Sequence, residues 1–362
     1  MSFLRFKAND AAKRLGRGFV SSMSELSGYS DRAFDKLASV PSWTILGYHR
    51  IIEDPTADPF DFGMCTSVEN FESQLEFLKS KFRVETVQSA LNMIQSGTKP
   101  EKPILSITFD DGYLDNHTLV LPMLEKAGVQ ASFYVCTSDL KARGPFWWDR
   151  VIFALAHTQE RELSLEHFDL DTAISSVSLA PYRRRHSLSI ILQALWSVDY
   201  PRCLDIVEQL EKVLQAKADH HWAPRMNAAA IRDLLDAEME IGCHNSVHHD
   251  MTLMDVTDVE GQLKVSGDEI SAITGRWPEG FAYPAGAQSE ETRQCVLKAK
   301  YTYALGTDRG LNPLEYERFN LRRMSVGNNS ISDFKRCLAS LANSYLRESG
   351  QQSPDTHLLG YK

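Results

Sequence analysis

The sequence predicts an α/β fold built on a parallel sheet and interrupted by a helical insertion. Three observations carry this. Short apolar runs end in polar residues, helical periodicities alternate with those runs, and residues 150 to about 225 break the alternation with helical segments alone. In chain order, Trp43-Thr44-Ile45-Leu46-Gly47-Tyr48-His49 reads as a buried strand, and Phe71, Leu75, Phe77 and Leu78 then recur at helical spacing. Ile104 to Phe109 is a second strand, running directly into Asp110-Asp111-Gly112. Leu119 to Ala127 reads as a helix stopped by Gly128, and Gln130 to Val135 as a third strand. Strand, helix and strand in that order require a crossover and hence parallel pairing.

Val151 to His157, Ser187 to Trp196 and Leu204 to Leu214 supply the helices of the insertion. A helix over Ile231 to Met239 leads into a strand, Glu240 to His244. Two further strands follow, Gly280 to Tyr283 and Tyr303 to Leu305, the second after a helix around Glu291 to Lys300. The chain thus divides into a helix-leaning lead-in, 1–40, a main domain, 41–335, and a C-terminal helix with a polar tail, 336–362.

Apolar residues make up 43% of the 362 and charged residues 24%, enough for a sizeable core. The formal net charge of -9 repels phosphates, and no basic stripe with interleaved aromatics occurs, so nucleic acid is excluded as a partner. The six cysteines form no C-x-x-C pair and sit mostly in apolar runs such as Phe133-Tyr134-Val135-Cys136. They read as reduced core residues, an expectation of a cytoplasmic compartment. No run approaches the ~20 apolar residues that span a bilayer, and the first residues lack a secretion-signal pattern. Arg5, Lys7, Lys13, Arg14 and Arg17 stand against Asp10 alone. Such a basic amphipathic segment suits peripheral contact with the inner face of a membrane; a helix packed on the main domain is the competing expectation.

Asp110 and Asp111 close an apolar strand just before Gly112. Adjacent carboxylates repel, so burying both is costly without a cation, and strand carboxyl ends are where α/β folds bind ligands. A solvated Asp-Gly turn is the plainer alternative. His244-Asn245-Ser246-Val247-His248 places two imidazoles in H-x-x-x-H spacing after another strand. If a helical turn begins there, both share one face. Two histidines and one carboxylate with an open position suit a catalytic divalent metal, Zn2+ first. His249 leaves that register open by one residue. Tyr283-Pro284-Ala285-Gly286 ends a further strand in a tight turn, which can present backbone N–H groups to a developing oxyanion.

Together these segments resemble the polysaccharide deacetylases, the carbohydrate esterase family 4 enzymes that share the NodB homology domain. Thr108 to Tyr113 is similar to the family's first motif, Glu240 to His248 to its second, and Phe281 to Gly286 to a variant of its third. The resemblance implies a distorted (β/α) barrel of about seven strands. It also implies Asp110 as general base, Asp111, His244 and His248 as metal ligands, and the N–H near Ala285 as an oxyanion donor. Tyr283, Pro284 and Tyr113 accompany these motifs as candidates for contacting substrate.

Two departures stand out. Ala282 occupies the place of the arginine that family members set beside the base, and the late stretch Phe319 to Val326 lacks their general-acid histidine. Arg323, with Arg322 the alternative, is expected to supply the missing positive charge. Arginine does not release its proton, so the acid falls to His49, at the end of the first strand, or to His249. In Phe146-Trp147-Trp148-Asp149, Trp148 can line a sugar groove or pack in the core. The expected activity is removal of N-acetyl groups from an acetamido-sugar glycan or lipid-linked oligosaccharide precursor, in exopolysaccharide or cell-envelope glycan biosynthesis. A metal-dependent amidase on a small non-sugar amide and a catalytically silent glycan-binding domain are the competing readings.

Overall fold

In the computed structural model, the described residues are Phe34 and 42–348, apart from 55–57, 61–63, 99, 139, 141–143, 169, 171, 220, 314 and 316. The basic lead-in and the polar tail lie outside them. Six parallel strands run through the main sheet: β1 (Ser42–Tyr48), β2 (Ile104–Phe109), β3 (Ser132–Val135), β4 (Glu240–Cys243), β5 (Gly280–Ala282) and β6 (Tyr303–Leu305). They lie side by side in chain order, from β6 at one edge to β1, beyond which Asn312–Pro313 pairs antiparallel with β1. That seven-strand path curls into a half-barrel. The segment Leu321–Val326 occupies the gap between its edges: Leu321 bridges Leu305 of β6, while Leu46 and Gly47 of β1 pair with Met324 and Ser325.

Strand alternation sorts the two faces. Trp43 and Ile45 of β1, Ile104 of β2, Tyr134 of β3, Ala282 of β5 and Tyr303 and Leu305 of β6 form one apolar cluster inside the curl. Leu46, Tyr48, Leu105, Ile107, Phe109, Phe133 and Val135 belong to the larger cluster on the outer side. Polar groups on the inner face are paired: Trp43 donates to Ser106 (3.0 Å), Ser132 to Glu240 (2.6 Å), and the Tyr134 and Tyr303 hydroxyls share a hydrogen bond of 2.8 Å.

Helices cover the outside. They are α1 (Val68–Lys81), α2 (Val87–Gln95), α3 (Leu121–Ala127), α4 (Trp147–His157), α5 (Arg184–Trp196), α6 (Tyr200–Val213), α7 (Ala228–Asp236), α8 (Val256–Thr274), α9 (Glu290–Lys298) and α10 (Ile331–Glu348). Local chemistry sets their ends: Ser67 caps α1 by accepting from Asn70 N–H, and Gly128, at φ 62°, stops α3 where the sequence places its stop. The nineteen-residue α8 has no counterpart in the sequence reading. Its apolar stripe is thin (Val259, Leu263, Ile270) and surrounded by charged residues, so its period is faint. No helix among the described residues is long and apolar enough to cross a membrane. All six cysteines are free thiols, five of them buried.

The insertion forms α4, α5 and α6 with an antiparallel ribbon, Glu162–Ser164 and Ser176–Ser178, between the first two. It has its own apolar cluster, including Trp147, Val151, Leu155, Ile191, Leu195, Ile206 and Leu210. Arg150 ties α4 to α6 through a forked ion pair with Glu211 (2.9 and 2.7 Å).

The main core rests heavily on stacked aromatics. Phe133 lies 4.9 Å from Phe109, nearly parallel to it, and both are fully buried. Phe133→Ala is expected to destabilise the chain by about 3–5 kcal/mol, read by denaturant unfolding; a loss below ~1 kcal/mol would contradict this packing.

Candidate active site

The candidate residues meet at the carboxyl ends of the parallel strands. Alternation along β2 puts Ser106 and Thr108 on the inner face, and Asp110 continues the series. Asp110 N–H donates to Tyr48 O (3.0 Å). Asp111 has φ 73° and Gly112 φ 90°, so the chain turns sharply after Asp110. A Cβ on Gly112 would come within 2.8 Å of a Val135 methyl, which leaves glycine as the residue that fits. The turn swings Asp111 toward β4, where His244 follows Glu240 and Gly242 on the inner face.

The Nε2 atoms of His244 and His248 lie 3.4 and 3.2 Å from Asp111 Oδ1. One ligand atom from each of the three lies within 4.8 Å of the others, and all three residues are buried. Asp111 Oδ1 makes no hydrogen bond among the described residues although it is buried. A buried carboxylate oxygen without a donor, facing two imidazole nitrogens, fits a divalent cation. Burial opposes ionisation of Asp111, but His248 and His244 outweigh it and hold the carboxyl well below its usual range. His244 Nδ1–H donates to Ala282 O (2.7 Å), which leaves Nε2 free to ligate.

The helical turn considered for H-x-x-x-H does not form. Residues 244–250 are irregular, with Asn245 at φ 64° and His248 at φ 49°. Thr137 N–H and Ser138 N–H, donating to Asn245 O and Ser246 O, hold the loop instead. Loop geometry rather than i, i+4 spacing therefore brings the two imidazoles together, their ring centres 4.7 Å apart.

Arg323 reaches Asp110 from the segment that fills the gap in the barrel. Its Nη1 lies 2.8 Å from Oδ1 and its Nη2 2.7 Å from Oδ2, a bidentate pair buried on both sides. Burial would raise the Asp110 pKa, and the guanidinium outweighs it, leaving the carboxyl below its ordinary value. The guanidinium passes over Gly47 of β1, where a Cβ would meet it at an ordinary contact distance of 3.7 Å. Arg322 is exposed, as alternation requires.

His49 lies directly after β1. Burial lowers its pKa against the opposing carboxylates of Asp111 and Asp110. His249, the other acid candidate, points elsewhere: its Nε2 meets Val198 O, and its ring stacks on Trp196. Pro284–Gly286 forms a single turn in which Gly286 N–H donates to Tyr283 O and Ala285 takes φ 53°. Tyr283, proposed from sequence as a substrate contact, instead sits fully buried with Phe281, Cys243 and Cys295 behind the sheet, because odd positions of β5 face outward. Asp111, Asn245, His248 and Ala285 all adopt left-handed backbone, at about 1–3 kcal/mol each.

A second cluster flanks the site. Trp148 Nε1 donates to the Tyr113 hydroxyl (2.9 Å), and that hydroxyl donates to Asp149 (3.1 Å). Arg50 lies 4.8 Å over the Tyr113 ring and pairs with Asp115 (2.9 Å). Asp149 escaped the sequence reading, although the Phe146-to-Asp149 segment marked the place. Burial pushes its carboxyl up to about 7, against Arg50 and the Tyr113 hydrogen bond. The folded chain therefore keeps a proton there that the unfolded chain releases. The associated stability is full below the unfolded pKa and is lost as pH rises toward about 7. Asp149→Asn, with no proton to lose, is expected to flatten the fall in stability between pH 4 and 7, at roughly 1.4 kcal/mol per pKa unit as an upper limit. Urea unfolding across that range checks it; an unchanged slope would contradict the assignment.

The polysaccharide deacetylase family profile matches residues 97–160 and 199–304, omitting part of the insertion. YxkH of Bacillus subtilis, whose name places it among the polysaccharide deacetylases, is 32% identical over 68 residues, 18% of this chain; the match spans 24% of that protein. A Streptococcus pyogenes deacetylase, PplD, solved in complex with acetate, superposes with a TM-score of 0.55 at 15% identity, over 83% of this chain and 98% of that one. A de-N-acetylase from Aggregatibacter actinomycetemcomitans gives 0.51 at 14% identity, over 82% and 99%. These structural likenesses bear on the fold, while the profile covers both Asp110-Asp111 and His244 to His248. By those motifs and the domain that carries them, the chain belongs to the polysaccharide deacetylase family.

Proposed function

We propose that the chain is a metal-dependent hydrolase that removes N-acetyl groups from an acetamido-sugar glycan or a lipid-linked oligosaccharide precursor. Exopolysaccharide or cell-envelope glycan biosynthesis is the proposed setting. The observation that carries this is the division of labour between adjacent carboxylates. Asp111 faces two imidazoles, while Asp110 is claimed by Arg323 and kept ionised. Asp111, His244 and His248 would hold the ion, Zn2+ first among several divalent candidates. When bound, it supplies a Lewis acid that lowers the pKa of water and polarises an acetyl carbonyl.

The remaining work belongs to the chain. Asp110, ionised beside Arg323, accepts the proton of the attacking water. The backbone N–H of Ala285 donates to the oxygen that gains negative charge, held ready by the strained Pro284–Gly286 turn. His49 returns a proton to the leaving amine. Trp148, half-buried and stacked on Phe146 at 4.3 Å, offers an aromatic face to a sugar ring, and Tyr113 holds its indole N–H.

Metal analysis combined with acetate release from N-acetylglucosamine oligomers tests the reading. Metal and acetate together are expected. Metal without acetate would favour a small-amide substrate, and no metal a silent glycan-binding domain. Asp111→Ala is expected to lose both, whereas Asp110→Asn keeps the metal and slows acetate release by about 10²–10⁴.

For His49→Ala, loss of the alkaline limb of the pH–rate profile with metal content intact is the expected result. A limb that stays in place would remove His49 from the mechanism.

A further inference from the structure

The two histidines are held by different means. His244 is fixed from behind by its hydrogen bond to Ala282 O. His248 has no such support: its Nδ1 is buried without a hydrogen-bond partner among the described residues, and its backbone sits at φ 49°. Ligating imidazoles are ordinarily oriented by a hydrogen bond from the nitrogen that does not ligate. Aromatic rings take that place here. Trp148, in the first turn of α4, lies 4.5 Å from the His248 ring, and Trp196, the last residue of α5, lies 5.5 Å away. Both belong to the insertion, and Trp147 braces Trp196 edge-on at 5.3 Å.

The neighbouring residue completes the grip. The His249 ring stacks on Trp196, 5.9 Å between centres and 19° between planes, and Tyr200 flanks it at 6.3 Å. A carbonyl accepts hydrogen bonds only, so His249 Nε2 carries its proton and donates to Val198 O. The corner between α5 and α6 thus holds residues 248 and 249 from one side, while Thr137 and Ser138 hold Asn245 and Ser246 from the other.

We propose that the helical insertion positions the metal ligand His248, acting through Trp196 and through the hydrogen bond from His249 to Val198. His249 and Trp196 are positioning residues. The inference rests on the reading of Asp111, His244 and His248 as a metal site.

The test measures Zn2+ affinity by chelator competition and the visible spectrum of the Co2+-loaded protein, in the full chain. His249→Ala and Trp196→Leu are expected to weaken Zn2+ binding about 10–100-fold and to alter the Co2+ bands. His249→Gln, whose amide N–H reaches the same carbonyl, is expected to restore both. Thermal unfolding of the metal-free variants separates this from collapse of the insertion, since His249→Ala is expected to keep a wild-type transition. Wild-type affinity and spectra in both disruptive variants would overturn the inference while leaving the metal reading standing. A Gln variant as weak as the Ala variant would also overturn it. A wild-type chain that binds neither ion would overturn both.

Discussion

The site depends on keeping two adjacent carboxylates charged in a buried pocket. Side by side and shielded from water, Asp110 and Asp111 would drive one another toward protonation unless each had its own cation. Arg323 answers for Asp110 with two hydrogen bonds, and Asp111 faces His244 and His248. Removing either partner would strand a buried charge, a loss of about 3–5 kcal/mol. This constraint reaches into the architecture. Arg323 can approach Asp110 because Leu321–Val326 closes the gap between β6 and β1.

Below that pair, the inside of the curl is filled by side chains. Tyr134, Tyr303, Glu240 and Ser132 satisfy one another's polar atoms among Trp43, Ile45 and Leu305. A filled interior confines chemistry to the strand ends, where irregular backbone can be tolerated. Four left-handed non-glycine residues lie there, in the loops after β2, β4 and β5. Such conformations persist where surrounding hydrogen bonds overrule local preference, as Cys136 N–H to Asp111 O and Thr137 N–H to Asn245 O do here.

The insertion packs as a body with its own apolar cluster, yet it does not stand apart. Its two ends return to the site. Trp148 opens α4 beside His248 and Tyr113, and Arg225, near its far end, hydrogen-bonds Gly144 O and Ser138 O with its guanidinium over the Phe146 ring. A segment that interrupts the βα alternation therefore packs directly against His248.

The sequence by itself determined the strands, because apolar runs of four to seven residues ending in Asp-Asp-Gly or His carry their burial in their composition. It also singled out the two carboxylates and the two histidines as candidates, while the arginine was expected from the resemblance to the family, with Ala282 standing where its members carry one. Alternation alone then favours Arg323 over exposed Arg322 once β6 and β1 are known to flank it. Tertiary structure decided the rest. The imidazoles converge through left-handed loop residues, a backbone choice that side-chain spacing does not encode. His249 turns toward Val198, and Tyr283 turns behind the sheet, because each direction follows from which element lies opposite. The thin stripe of α8 becomes a helix only against its neighbours. Local pattern records what a residue must avoid or pair with; which partner arrives is fixed by contacts between residues far apart in the chain.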